Sequence, residues 1–133
     1  MKPILLDTVG LIALWNRSDQ WHDSAKRAFV ALVDAGYDFI TTSAILLECG
    51  NAAARQPFRH EVLLLRNLLE TREQLIFPTI EDWQNAWRIY ENSKADRTGI
   101  VDCLTFAVMH RLDLKQAFTN DRHFNVAGFE TLF

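Results

Sequence analysis

Residues 99–112, GIVDCLTFAVMHRL, carry apolar side chains on almost every side of a helix. Ile100, Val101, Cys103, Leu104, Phe106, Ala107, Val108 and Met109 leave no continuous polar face. A helix apolar nearly all round is a buried helix, so the remaining chain must fold around it. Asp102 nevertheless stands in its first turn. An ionised carboxylate in such surroundings is costly unless something neutralises it. The partial positive charge of a helix N-terminus is one ordinary explanation. A bound cation is another, and it gains weight because Asp7, Glu48 and Asp121 occupy comparably unusual places.

At 133 residues with 49% hydrophobic content, the chain is long enough for one domain with a real core, and the expectation is a single domain over residues 1–133. The net charge of −3 excludes a global basic field, so any nucleic-acid binding must rest on a local site. Cys49 and Cys103 both fall in apolar helical runs, where they read as small core residues in a reducing compartment rather than as a disulfide or zinc site. The apolar runs are short and interrupted, no leader segment is legible, and the expected location is cytoplasmic with no membrane association.

The patterning alternates between strand and helix. Residues 3–6 form a short buried strand closed by Asp7, and helices follow over 9–15 and 21–35, with Gly36 as a stop. Residues 38–41 predict a second strand, and Thr42 or Ser43 caps a helix over 43–54. Pro57 separates this from a helix over 58–70. A third strand over 75–77 precedes a helix to residue 91 that opens on a Thr79-x-x-Asp82 capping box. A polar loop over 94–99 leads to the Asp102 helix. A fourth strand over 115–119 ends in Asn120-Asp121, and 128–132 is a candidate edge strand. This alternation predicts an α/β domain of three layers, α/β/α, around a short and mostly parallel sheet.

In such sheets ligands bind beyond the carboxyl ends of the strands. Asp7 ends the first strand and Asp121 follows the fourth, while the helices carrying Glu48 and Asp102 begin at the same edge. Individually the acids have plain explanations. Asp7 is placed to cap a helix, and Asp121 follows Asn in a turn. Glu48 resists that treatment, because it lies mid-helix with no Lys or Arg within a turn. Four acids with one meeting point and no basic partner point to a divalent cation. An all-oxygen donor set suits Mg²⁺ or Mn²⁺.

Other features carry less. A single His123 beside a turn is structural by default, and Asp96 and Arg97 read as solvated. Trp83, Trp87 and Tyr90 at i, i+4 and i+7 read as a packing stripe before a base-stacking platform. Neither G-x-x-x-x-G-K-[ST] nor G-x-G-x-x-G occurs, so a nucleotide cradle has no support.

Asp7-Thr8, Glu48-x-x-Asn51, the run Asp102-Cys103-Leu104-Thr105-Phe106-Ala107 and Thr119-Asn120-Asp121-Arg122-His123-Phe124 together resemble the PIN-domain nucleases, most closely the VapC-type toxins of bacterial toxin–antitoxin pairs. The resemblance implies that Asp7, Glu48, Asp102 and Asp121 form a catalytic, metal-binding quartet supported by Thr8 and Asn51. It also implies RNA as substrate, Mg²⁺ or Mn²⁺ as cofactor, a homodimer and a cognate antitoxin. That partner is expected to cover apolar surface near the first two helices, with Trp15 and Trp21 as candidate anchors. Two other classes compete. A receiver-like signalling module would want a late-strand Lys where Thr119-Asn120-Asp121 stands, and a non-catalytic PIN-fold interaction protein has no need of the intact quartet.

Overall fold

The computed structural model describes residues 1–133, the side chain of Ala95 apart. Its centre is β1 (Ile4–Leu6), whose three residues are all buried. A strand covered on both faces has no use for alternating polarity, which is why ILL reads as a continuous apolar run. It pairs in parallel with β2 (Phe39–Thr42) on one side and β4 (Gln116–Phe118) on the other. β3 (Leu75–Ile76) extends the sheet beyond β2 and β5 (Glu130–Thr131) extends it beyond β4, again in parallel. The result is a five-stranded, all-parallel sheet in the order β3-β2-β1-β4-β5, so the expected α/β architecture holds. Receiver domains use the flavodoxin-like order 2-1-3-4-5 instead, so the signalling alternative fails on topology.

Helices α1 (Thr8–Trp15), α2 (His22–Asp34), α3 (Ser43–Ala53) and α4 (Arg59–Thr71) pack in a connected series, α1 on α2 and α3, and α3 on α4. α5 (Ile80–Asn92) packs chiefly on α6 (Ile100–Arg111). The expected caps are present. The Thr42 hydroxyl accepts the Ile45 N–H, and Thr79 and Asp82 form the reciprocal capping box. Gly36 ends α2 with φ of +83°, a conformation that its missing Cβ permits.

α6 is buried as its composition requires, with Cys103 and every residue from Thr105 to Met109 inside the fold. Phe106 meets the rings of Phe124 and Phe129 with centroids 4.9 and 5.6 Å away. α6 is fixed to α5 by Arg111, which donates through Nε and Nη2 to both oxygens of Asp82 at 2.8–3.1 Å. Asp82 is 1% exposed and thereby serves two ends at once, the start of α5 and the close of α6.

Two elements depart from expectation. The segment after β4 is not only a turn but a short helix, α7 (Arg122–Val126), with Asp121 as its N-cap. Five residues are too few for helical periodicity to register. The stripe on α5 is not a core stripe either. Trp83 is 58% exposed and Trp87 and Tyr90 are also exposed, stacking edge-on against one another and leaving Ile80 in solvent beside them. Spacing identifies the shared face but not whether another element covers it.

One glycine fixes how α1 meets the sheet. A Cβ on Gly10 would overlap the Phe118 carbonyl of β4, with the carbonyl carbon at 2.8 Å. Backbone cannot swing aside as a side-chain tip can, so Gly10→Ala must separate α1 from β4. The expected loss is about 1–3 kcal/mol, a drop in melting temperature of roughly 5–10 °C measured by thermal circular dichroism.

Candidate metal centre

The order of the sheet places a reversal between β1 and β4, because β2 and β3 lie to one side of β1 and β4 and β5 to the other. Such a switch point opens a crevice beyond the strand ends. The register pairs Leu6 with Phe118, so the next residues along, Asp7 and Thr119, leave the sheet side by side. Both are buried, at 2% and 0% exposure. The Asp7 backbone N–H donates to the Phe118 carbonyl at 3.4 Å.

Asp7 occupies the N-cap position of α1, yet its side chain makes no capping hydrogen bond. Its Oδ2 is buried with no hydrogen-bond partner, alone among the buried side-chain oxygens and nitrogens of the described residues. The ordinary helix-cap explanation therefore fails. Burial pushes the Asp7 carboxyl up to about 7, with the charges of Asp102 and Asp121 adding to the rise while the Thr119 side chain and the Thr8 backbone oppose it. Asp102, half-buried in the first turn of α6, is pushed up to about 6, first by burial and then by Asp121 and Glu48.

Glu48 is half-buried on α3, and its Oε1 accepts the Thr8 hydroxyl at 2.7 Å. This bond ties the start of α1 to the middle of α3, and it answers the sequence puzzle with a neutral donor where a cation was sought. Asp121 is ordered by three groups of its own segment. Its N–H donates to Thr119 Oγ1 at 3.1 Å, and its Oδ1 accepts the His123 backbone N–H at 2.9 Å and faces His123 Nδ1 at 2.8 Å.

Asp102 thus lies within electrostatic reach of the other three predicted acids, and Asp7 within reach of Asp102 and Asp121. Among the described residues, no Lys or Arg forms a salt bridge with any of them. Of the two residues expected to support the acids, Thr8 is hydrogen-bonded to one of them, Glu48. Asn51 is exposed one turn beyond Glu48 and joins none of these hydrogen bonds.

Thr119 is not among the site residues read from the sequence, and His123 is read there as structural by default. Thr119 is fully buried and braces Asp121 from below. His123 reaches across to the loop before α6, where its Nε2 donates to the Asp96 carbonyl at 2.7 Å. Ligand atoms of Asp102, Asp121 and His123 all lie within 4.8 Å of one another. A carboxylate and a carbonyl both only accept, so the ring donates from both nitrogens and its pKa is raised, the Asp121 bond contributing most. The one available signal was its position two residues past Asp121. Cys49 lies under the site and is an inert core thiol, pushed by burial up to about 12.

A buried, unpartnered carboxylate oxygen with further carboxylates around it, and His123 as the one ring set against them rather than any Lys or Arg salt bridge among the described residues, is a group that could bind a divalent metal ion. Oxygen donors of this kind fit Mg²⁺ or Mn²⁺.

An all-parallel α/β sheet with acids gathered at its switch point defines a small class of acid-site proteins, and the comparisons narrow it. The chain belongs to the PIN domain family, whose model matches residues 4–130. No curated protein sequence matches the chain. Among solved structures it is similar to VapC20 of Mycobacterium tuberculosis, described as a sarcin–ricin loop cleaving toxin, at 23% identity and a TM-score of 0.81, covering 95% of each chain. It is also similar to FitAcB of Neisseria gonorrhoeae, at 16% identity and a TM-score of 0.68 over 98% of this chain and 96% of that one. DNA-bound VapBC of Salmonella typhimurium follows at 16% identity and 0.66, covering 98% and 97%. At these identities the solved structures establish a shared fold.

The raised carboxyls set a pH dependence. In the unfolded chain Asp7 titrates near 3.8, and in the fold near 7. Below the lower value its contribution to stability is intact, and it is lost as pH climbs through the upper one. At about 1.4 kcal/mol per pH unit, the metal-free fold carries a penalty on the order of 4 kcal/mol at pH 8. Asp7→Asn removes that charge. Melts in chelator should therefore show Asp7→Asn more stable than the parent at pH 8, with a smaller gain at pH 5. Equal gains at both pH values would mean that the carboxylate is not strained by ionisation.

Proposed function

We propose that this protein, as a single domain, is a Mg²⁺- or Mn²⁺-dependent endoribonuclease and the toxin of a toxin–antitoxin pair. The observation that carries the metal dependence is the orphaned Oδ2 of buried Asp7 amid Asp102, Asp121 and Glu48. Asp7, Asp102 and Asp121 are the residues that would hold the ion. Bound there, Mg²⁺ or Mn²⁺ supplies charge stabilisation at a phosphoryl oxygen and a water acidic enough to ionise near neutral pH. Glu48, oriented by the Thr8 hydroxyl, is the carboxylate that orients the attacking water and accepts its proton.

RNA must approach a site of negative charge, and the rim provides opposite charge locally. A cleft of about 530 Å³ beside the carboxylates is lined by Asp96, Asn120, Asp121, Arg122, His123 and Val126. Arg122 and the nearby loop residue Arg97 are exposed, and among the described residues neither is in a salt bridge. These guanidinium groups are placed to take phosphates that flank the one being cut.

The antitoxin reading is supported by the assemblies formed by VapBC and FitAcB and by an apolar cleft of about 410 Å³ between α1, α2 and α4. Leu11, Leu14, Trp15, Phe29 and Leu68 line it, which suits the apolar side of a partner helix. Trp15 stands in that lining, whereas Trp21 is 48% exposed outside it. The homodimer is supported by the unpartnered Ile80, Trp83, Trp87 and Tyr90 of α5, since large exposed aromatics mark interfaces.

Purified protein should cleave single-stranded RNA with Mn²⁺ and not in chelator, and Asp7→Asn or Asp102→Asn should reduce the rate more than about 100-fold. Cleavage that survives both chelator and Asp7→Asn would overturn the assignment. By light scattering the parent should be a dimer at micromolar concentration and Trp83→Glu a monomer. A monomeric parent would sink the dimer.

A further inference from the structure

His123 joins two segments that the metal-centre reading needs in register. On one side is Asp121, at the N-cap of α7, whose Oδ1 faces Nδ1 at 2.8 Å. On the other is the backbone carbonyl of Asp96, 27 residues earlier, which faces Nε2 at 2.7 Å. Asp96 closes the 3-10 turn Lys94–Asp96, and the chain then passes through Arg97 with φ of +54° before Thr98 buries and Gly99 starts α6. A left-handed non-glycine residue persists only where its surroundings hold it. The imidazole therefore ties the loop that launches the Asp102 helix to the carboxylate that follows β4.

Core packing does not explain the residue. The His123 side chain is 36% exposed, and its fixed contacts are these two polar ones. Direct ligation does not explain it either, although its ring lies within reach of Asp102 and Asp121. Both nitrogens already face acceptors, so neither offers a lone pair to an ion without breaking a contact.

We propose that His123 is a positioning residue, which orients the Asp121 carboxylate through Nδ1 and locks the 94–98 loop beside the site through Nε2. This rests on the metal-centre reading above and adds a role to a residue outside the acidic quartet. Side chains that orient a ligand group change metal affinity about 10–100-fold when removed. Loss of one hydrogen bond at the loop loosens it locally and leaves the core untouched.

The geometry separates the two contacts by variant. The amide nitrogen of Asn can take the place of Nδ1, whereas the longer Gln side chain brings its amide towards the place of Nε2. Mn²⁺ titration by calorimetry and amide hydrogen exchange over residues 94–98, both on the full chain, read the two contacts independently. His123→Ala should bind Mn²⁺ about 10–100-fold more weakly, and the amides of Asp96 and Arg97 should exchange about tenfold faster. His123→Asn should recover most of the Mn²⁺ affinity and leave the loop fast, and His123→Gln should do the reverse. These two variants carry the test if His123→Ala fails to fold.

A parent that binds Mn²⁺ with variants that bind it equally well overturns the proposal. So does a loss of Ni²⁺ affinity far exceeding the loss of Mn²⁺ affinity, since imidazole ligation favours Ni²⁺. A parent that binds no Mn²⁺ refutes the metal-centre reading itself. The exchange measurement then still decides the loop tether.

Discussion

The carboxylate of Asp7 is held where nothing in the chain completes it. β1 is buried on both faces and ends at the point where the order of strands reverses, and its next side chain, Asp7, is buried as well. Everything near Asp7 is arranged around that fact. Gly10 lets α1 lie against the Phe118 carbonyl, which keeps the Asp7 and Thr119 strand ends adjacent. Thr8, the very next residue, fastens Glu48, and Thr119 braces Asp121.

Such a site works against the fold that contains it. Several carboxylates share one poorly solvated crevice, and the raised pKa values of Asp7 and Asp102 express their burial first and the repulsion of neighbouring carboxylates second. The fold sustains it with rigid supports set away from the charges. The Asp82–Arg111 pair locks α5 to α6, and the apolar body of α6 is enclosed by Phe124 and Phe129 among others. Strain kept at a functional centre and offset by ordinary packing elsewhere is the expected bargain. A bound divalent ion would reverse its sign, turning the repelling groups into ligands and adding stability by mass action.

Apolar surface lies in two separate places. One lies in the cleft between α1, α2 and α4, and the other is the aromatic edge of α5. Neither includes Asp7, Glu48, Asp102 or Asp121. The basic rim at Arg97 and Arg122 is confined to the acid site. A chain with net charge −3 has no long-range basic field, so any RNA would have to be met through local complementarity.

Sequence alone determined the order of the strands and of every α-helix but α7, the burial of β1 and α6, and the capping of α3 and α5. These depend on local periodicity and on residues a few positions apart. The motifs from Asp7 to Phe124 also sufficed for the family. What the sequence left open was decided by contacts between distant segments. Asp7 was indistinguishable from a helix cap until the fold withheld every partner from Oδ2. Glu48 had no visible partner because Thr8 lies 40 residues away. His123 looked like a turn residue because Asp96 is 27 positions back along the chain. The α5 stripe showed its spacing but not its exposure, since coverage of a face depends on what packs against it. Periodicity is a property of neighbours along the chain, whereas a site is made of neighbours in space.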